Sequence, residues 1–155
     1  MSVNVVWQEG MAFEVQQDGH TFLIDAVEET GGQDRGPRPK ALMLSSLAGC
    51  TGMDVIFILK KLHVDVARFE ISVDAELTDA HPKRFTKMVS HYKLWGEGLE
   101  AQEKKVRRAI RLSEDMYCGV SATLRPSVAL VAKIFINDRE LPHDPDDDAR
   151  RFADT

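Results

Sequence analysis

Hydrophobic and polar residues alternate along the first part of the chain. Apolar side chains occupy every second position over residues 3–7 and again over residues 11–15, and a third apolar stretch follows over residues 20–25. A period of two is typical of β-strands with one buried face. Asp18 and Gly19 separate the second and third stretches, and they tolerate the positive φ angles of a two-residue hairpin turn. The pattern predicts a meander of three antiparallel strands.

The next segment changes character twice. Residues 28–39 contain three glycines and two prolines, which predicts a loop. Residues 41–59 carry a single charge and are mostly apolar, which predicts a helix from Pro39 to Leu62 with proline in its first turn. This run is long enough to span a membrane. Because every other segment is patterned like a water-soluble fold, we interpret it instead as a central helix that is buried on all sides.

The second half of the chain returns to strand and helix patterns. Residues 69–77 alternate without interruption, which predicts a strand with one buried and one wet face. The other predicted elements are a turn at 79–83, a returning strand at 84–95, an amphipathic helix at 99–116, a short helical turn at 118–124 and a last strand at 129–137. The order βββ, α, ββ, α, β predicts an α+β fold in which antiparallel sheets enclose the central helix.

The charge distribution limits the partners and the domain organisation. The 155 residues include 20 basic and 25 acidic side chains, for a net charge of -5, and most of that charge lies in residues 138–155. The remainder is nearly neutral, which argues against a nucleic-acid partner. We predict one domain over residues 1–140 and an acidic, flexible tail over residues 141–155. The first residues show no charged leader, so we expect a cytoplasmic protein with no membrane partner.

Two cysteines are the candidates for chemistry: Cys50 in the central helix and Cys118 after the amphipathic helix. Either could be a buried cysteine that only fills space. Lowering a thiol pKa from about 8.5 to about 5.5 takes roughly 4 kcal/mol, which is more than a helix terminus supplies. Asp54, one turn after Cys50, would oppose a thiolate there. A nucleophilic Cys50 therefore requires a nearby cation.

Arg35, Arg38 and Lys40 are the candidate cations, since they lie in or next to the glycine-rich loop. Each could equally be a solvated loop residue. Cys118 differs in its local setting. If residues 119–124 are helical, Cys118 stands at their N-terminal end, where backbone N–H groups favour an anion.

Other kinds of site have no signature in the sequence. The five histidines are scattered singly, and no CxxC, HxxxH or HxH spacing suggests a metal site. The motifs of serine hydrolases, P-loop nucleotide hydrolases and dinucleotide-binding proteins are also missing. Thiol chemistry and binding without chemistry are the two classes of function that remain.

Two motifs carry a resemblance to a known family. The first is GG followed by GPRPKALMLSSLAGCTGMDVI, which contains Cys50, and the second is MYCGVSATL, which contains Cys118. Together they resemble the OsmC/Ohr family of thiol peroxidases, over about residues 31–137. The predicted order of elements is also similar to that family.

The resemblance implies a function and an assembly. It implies an intertwined homodimer in which two sheets enclose paired central helices, with active sites at the dimer interface. Cys50 would attack an organic hydroperoxide as the peroxidatic cysteine, and Cys118 would resolve the sulfenic acid to a disulfide that an external dithiol reduces. No metal, haem or flavin is expected. Tyr117, Met53 and Asp54 are expected to line the substrate pocket.

The chain departs from the family pattern in two places. Members usually carry a glutamate nine or ten residues before the first cysteine, where this chain has Ala41 and Lys40, and an arginine in the N-terminal strands, where it has none. Arg35, Arg38 or Lys40 would have to substitute as the activating cation. The first hypothesis is a peroxidase for oxidative-stress defence. The alternative is a dimeric small-ligand-binding or redox-sensing protein with weak or no peroxidase activity.

Overall fold

The first structural unit, Met1–Ser45, opens with the predicted three-stranded meander. A computed structural model describes residues 1–144, and its first sheet is antiparallel in the order β1, β2, β3. The strands are β1 (Val3–Glu9), β2 (Ala12–Gln17) and β3 (His20–Ile24). The tight turn between β2 and β3 places Asp18 and Gly19 at φ values of 51° and 82°. The meander and its hairpin turn are therefore confirmed.

A buried carboxylate organises the loop that follows β3. Asp25 accepts hydrogen bonds from the backbone N–H groups of Ala26 at 2.8 Å, Gln33 at 3.1 Å and Arg35 at 3.3 Å. Burial raises the pKa of Asp25, but these donors and the Arg35 charge outweigh it and hold the pKa below its usual value. The loop also packs tightly, since a Cβ on Gly32 would lie 1.9 Å from the Ala26 carbonyl oxygen. Glycine is therefore required there by close backbone approach.

The long apolar helix, α1, runs from Pro39 to Lys61, almost as predicted. Its buried side chains form one face and are Leu47, Thr51, Val55, Ile58 and Leu59. Met43, Met53 and Phe57 are exposed in the single chain, so burial of this helix on all sides stays a prediction that depends on the expected dimer. By length and composition alone α1 could cross a membrane, a criterion that core helices of soluble proteins also meet.

The second unit, from Ser46 onward, contains a four-stranded sheet in the order β4, β5, β6, β7. Its strands are β4 (Arg68–Leu77), β5 (Phe85–Trp95), β6 (Ala129–Ile136) and β7 (Arg139–Glu140). β4 and β5 form the predicted hairpin. The β5 and β6 strands are parallel, so this sheet is mixed and not purely antiparallel. β7 was not predicted, because a two-residue strand leaves no alternation to detect.

The predicted helix at 99–116 is divided into three pieces. A 3₁₀ turn at Leu99–Gln102 precedes α2 (Glu103–Leu112), and a π-helical turn at Ser113–Tyr117 follows it. A short helix, α3 (Gly119–Leu124), then leads toward β6. The apolar spacing was compatible with all three helix types, so the wide turn could not be distinguished from continued α-helix. This π-helical turn comes directly before Cys118.

The core of the second unit lies between α1, α2 and the sheet. Val55 and Leu59 of α1 belong to one buried apolar cluster with Tyr92 of β5 and Val106 and Ile110 of α2. Burying side chains of this size contributes about 1.5 to 3 kcal/mol each, so the cluster fixes the position of α1 within the unit. Residues 141–144 are described, whereas the predicted acidic tail lies mostly outside the described residues.

Candidate active site

Three chemically reactive side chains meet in the second unit. The sulfurs of Cys50 and Cys118 and a carboxylate oxygen of Asp54 all lie within 4.8 Å of one another. Asp54 joins Cys50 because residues four apart lie on the same face of a helix. Cys118 comes from a segment 68 positions later, so the fold alone brings it to Cys50.

The π-helical turn places Cys118. Its backbone N–H donates to the Ser113 carbonyl at 2.8 Å, which closes the wide turn. The Cys118 sulfur then accepts a hydrogen bond from the Ser121 backbone N–H at 3.3 Å, in the first turn of α3. Cys118 therefore stands at the N-terminal end of a helical turn, as predicted. Cys118 is buried, whereas Cys50 is half-buried.

Tyr92 of β5 and Arg125, which directly follows α3, hold this turn in place. The Tyr92 hydroxyl donates to Glu114 at 3.0 Å, and Arg125 donates to the Asp115 carboxylate at 3.1 Å and to the Glu114 carbonyl at 2.8 Å. Burial, together with the nearby Glu114 charge, raises the pKa of Tyr92 far above its usual value. Tyr92 therefore remains a hydrogen-bond donor at any ordinary pH. The wide turn before Cys118 is held on two sides.

The electrostatics at Cys50 oppose a free thiolate. Burial raises the pKa of Cys50, and the neighbouring Cys118 thiol and the charge of Asp54 raise it further. The Val120 backbone N–H acts in the opposite direction. The expectation that Asp54 disfavours the Cys50 thiolate is confirmed. Asp54 itself accepts a hydrogen bond from the Ser113 hydroxyl at 3.1 Å.

The candidate cations lie in the first unit. Arg35 pairs with Glu9 at 3.0 Å and with buried Asp25 at 3.7 Å. Arg38 pairs with Asp34 at 3.2 Å, and Lys40 is the second residue of α1. Two of the three candidates therefore have acidic partners within their own unit. Their role as activators of Cys50 stays a prediction.

A cavity of about 440 Å³ lies in the second unit. Two of the predicted pocket residues, Asp54 and Tyr117, line this cavity. The other lining residues are apolar or basic: Phe57, Ile58, Lys61, Leu62, Arg108 and Leu112. Asp54 belongs both to this cavity and to the reactive cluster. Met53 lies elsewhere, in a shallow groove with Ile56, Phe69 and Ile71. Sequence patterns did not single out Lys61 or Arg108, since both look like ordinary charged positions on helix surfaces.

The family model for OsmC-like proteins matches residues 31–133, which include both cysteines. The chain belongs to the OsmC-like family. Protein YhfA of Escherichia coli K12, which is similar over most of its length, is 32% identical over 129 residues that cover 83% of this chain and 92% of YhfA. Family membership and the α+β fold class are thus confirmed.

Solved structures show the same OsmC-like fold. A hypothetical protein from Aquifex aeolicus VF5 matches with a TM-score of 0.77 and 26% identity, over 88% of this chain and 95% of that one. An organic hydroperoxide resistance protein OsmC from Legionella pneumophila matches with a TM-score of 0.62 and 15% identity, over 86% and 95% of the two chains. At that identity the second likeness is one of fold.

Proposed function

We propose that this OsmC-like protein is a two-cysteine thiol peroxidase that reduces organic hydroperoxides. The Cys50 thiolate attacks the distal peroxide oxygen, the O–O bond breaks, and the protonated leaving group departs as an alcohol. Cys50 becomes a sulfenic acid. The Cys118 thiol condenses with it, which forms the Cys50–Cys118 disulfide and releases water. An external dithiol then reduces the disulfide by thiol exchange. No metal, haem or flavin takes part.

The convergence of the two cysteine sulfurs is the observation that carries this proposal. Two sulfurs within 4.8 Å need only modest side-chain rotation to reach the roughly 2.05 Å of a disulfide bond. Cys118 lies between a closed π-helical turn and the Ser121 N–H, so its sulfur is held on the Cys50 side. A packing role alone does not require two cysteine sulfurs to lie close to each other. Their juxtaposition therefore favours redox chemistry over a packing role.

The cavity next to Asp54 favours an organic substrate. Phe57, Leu62 and Leu112 offer it an apolar lining, and Tyr117 directly precedes Cys118. An apolar wall stabilises an alkyl or aryl group but offers nothing to hydrogen peroxide. We therefore expect bulky hydroperoxides to react faster than hydrogen peroxide.

The first test is to map the oxidised product. Reduced protein is mixed with one equivalent of cumene hydroperoxide, quenched within seconds with an alkylating agent, and digested for mass spectrometry. We expect a Cys50–Cys118 disulfide to form much faster than a free thiol such as glutathione is oxidised. An equal dose of hydrogen peroxide should give less disulfide at the same time. Two alkylated cysteines after cumene hydroperoxide treatment would contradict the proposal.

We also infer that the protein works as a homodimer. Met53 and Phe57 leave α1 with an exposed apolar strip, and exposed large apolar side chains mark association surfaces. Light scattering on the reduced protein is expected to give about twice the 17.4 kDa chain mass. Met53→Glu, which places a charge on that strip, should lower the measured mass toward the monomer. A monomeric wild-type mass at micromolar concentration would count against the dimer.

A second candidate function is supported by the electrostatics at Cys50. Burial, Cys118 and Asp54 all raise its pKa, so the thiolate population is small unless something else compensates. In that case the cavity would serve as a binding site for a small apolar or acyl ligand, or slow oxidation would act as a redox signal. Both alternatives predict that Cys50 reacts with peroxide no faster than a free thiol. The disulfide-mapping experiment separates them from the peroxidase.

A further inference from the structure

The reactive cluster of Cys50, Asp54 and Cys118 has the composition of a metal-ligand set. Within residues 1–144 it is the one group of three such side chains whose donor atoms converge, all within 4.8 Å. A tetrahedral Zn²⁺ ion with Zn–S bonds of about 2.3 Å holds two sulfurs about 3.8 Å apart. Contracting the cluster by up to about 1 Å needs only side-chain rotation. Two sulfurs and one carboxylate oxygen suit a thiophilic divalent cation.

A hydrogen bond to Asp54 also supports metal binding by this cluster. The Ser113 hydroxyl lies 3.1 Å from a carboxylate oxygen of Asp54 and 3.4 Å from the Thr51 carbonyl oxygen. Ser113 is fully buried, so this hydrogen bond holds the Asp54 carboxylate in place within the cluster. Metal ligands in proteins are oriented by such partners. For a peroxidatic cysteine, in contrast, a fixed carboxylate at this place is a disadvantage.

We propose that Cys50, Cys118 and Asp54 bind one Zn²⁺ ion, with a water molecule or a substrate atom completing the coordination. Binding exchanges the two thiol protons for the metal, so the reaction is Zn²⁺ plus two thiols giving the complex and two protons. The three ligands then carry a charge of -3, which the ion reduces to -1. The repulsion among the anionic groups becomes attraction to a shared cation.

The proposed site and the disulfide exclude each other. A disulfide offers no thiolate, and a thiolate that binds Zn²⁺ is withdrawn from attack on peroxide. The cluster would therefore respond to both oxidants and thiophilic metal ions. The metal-binding inference stands independently of the peroxidase, because it concerns the reduced protein in the absence of any peroxide.

The test is metal titration of the reduced full-length protein after removal of metals with EDTA. Zn²⁺ is added against a chromophoric chelator, and Cd²⁺ is added separately because its bonds to thiolates absorb in the ultraviolet. We expect one ion per chain, about two protons released per ion, and thiolate–Cd²⁺ absorption. Protein oxidised to the disulfide should bind none. Equal binding to reduced and oxidised protein would overturn the proposal.

Three variants and a control locate the ion. Asp54→Asn is nearly isosteric and should weaken binding by about 100-fold or more, since changes behind the ligands alone cost about 10- to 100-fold. Ser113→Ala should weaken it by about 10-fold. Asp65→Asn removes an exposed carboxylate in the loop after α1 and should leave affinity unchanged. Wild-type affinity in Asp54→Asn, or full Cd²⁺ absorption in Cys118→Ser, would disprove this ligand set.

Discussion

Replacing Cys50 by serine is expected to reduce cumene hydroperoxide consumption to the rate seen without protein. The nucleophile in the proposed reaction is a thiolate, and a serine hydroxyl stays protonated and unreactive under the same conditions. Serine has nearly the volume of cysteine, so α1 should keep its place in the core. The measurement is dithiol-dependent loss of hydroperoxide over time. Wild-type rates in Cys50→Ser would eliminate the peroxidase proposal.

Cys118→Ser is the matched variant, because it should separate the first step from the second. Cys50 is still expected to react once with cumene hydroperoxide, but its sulfenic acid has no thiol beside it and cannot form the disulfide. A sulfenic-acid reagent such as dimedone should then label Cys50 and no other residue. Labelling of Cys118 in Cys50→Ser, with none of Cys50 in Cys118→Ser, would reverse the two assignments.

Asp54→Asn is expected to increase the fraction of Cys50 present as thiolate by about fivefold or more. Two unit charges about 4 Å apart repel by roughly 1 kcal/mol in water and by more in a half-buried site, and 1 kcal/mol is about fivefold in an equilibrium. The pKa of Cys50 is raised by burial first, then by Cys118 and Asp54. Removing the Asp54 charge lowers it, so the gain in thiolate appears at pH values below the wild-type pKa and vanishes above it.

The rate of Cys50 alkylation by iodoacetamide between pH 6 and pH 10 measures this effect, with EDTA present to keep metal ions out of the cluster. A more acidic thiol is also a weaker nucleophile, so the net rate increase near pH 7 should be about two- to threefold. Asp65→Asn is the control and should follow the wild-type pH profile. An unchanged or slower rate for Asp54→Asn near pH 7 would show that the Asp54 charge does not govern Cys50.

The succession of strands and helices was readable from local patterns. Strict alternation identified β1, β2 and β4, the Asp18-Gly19 turn located the start of β3, and a long apolar run with proline at its start identified α1. The π-helical turn at Ser113–Tyr117 was missed, since the hydrogen bond that widens it leaves apolar spacing almost unchanged. The parallel pairing of β5 and β6 was missed too, because alternation does not specify strand direction.

Some contacts of the candidate site were likewise predictable from local sequence, and others were not. Cys50 and Asp54 are neighbours through helix geometry alone, so the unfavourable effect of the Asp54 charge on a Cys50 thiolate was predictable. Resemblance to the OsmC-like family, and no local pattern, connected Cys50 to Cys118. Ser113, Lys61 and Arg108 had no signal, because single serine and basic residues are ordinary on helices and local patterns do not show which of them is buried.

The sequence by itself determined the elements, the α+β class, the family and the identity of the two thiols. These depend on local periodicity and on short motifs, which act over one helix turn or one strand. Only the tertiary structure decided that Cys118 lies against Cys50 and Asp54, that Ser113 holds the carboxylate, and that α1 leaves Met53 and Phe57 exposed. The contacts of Cys118 and Ser113 with α1 join residues about 60 positions apart. The packing of α1 against β5 and α2 brings these residues together.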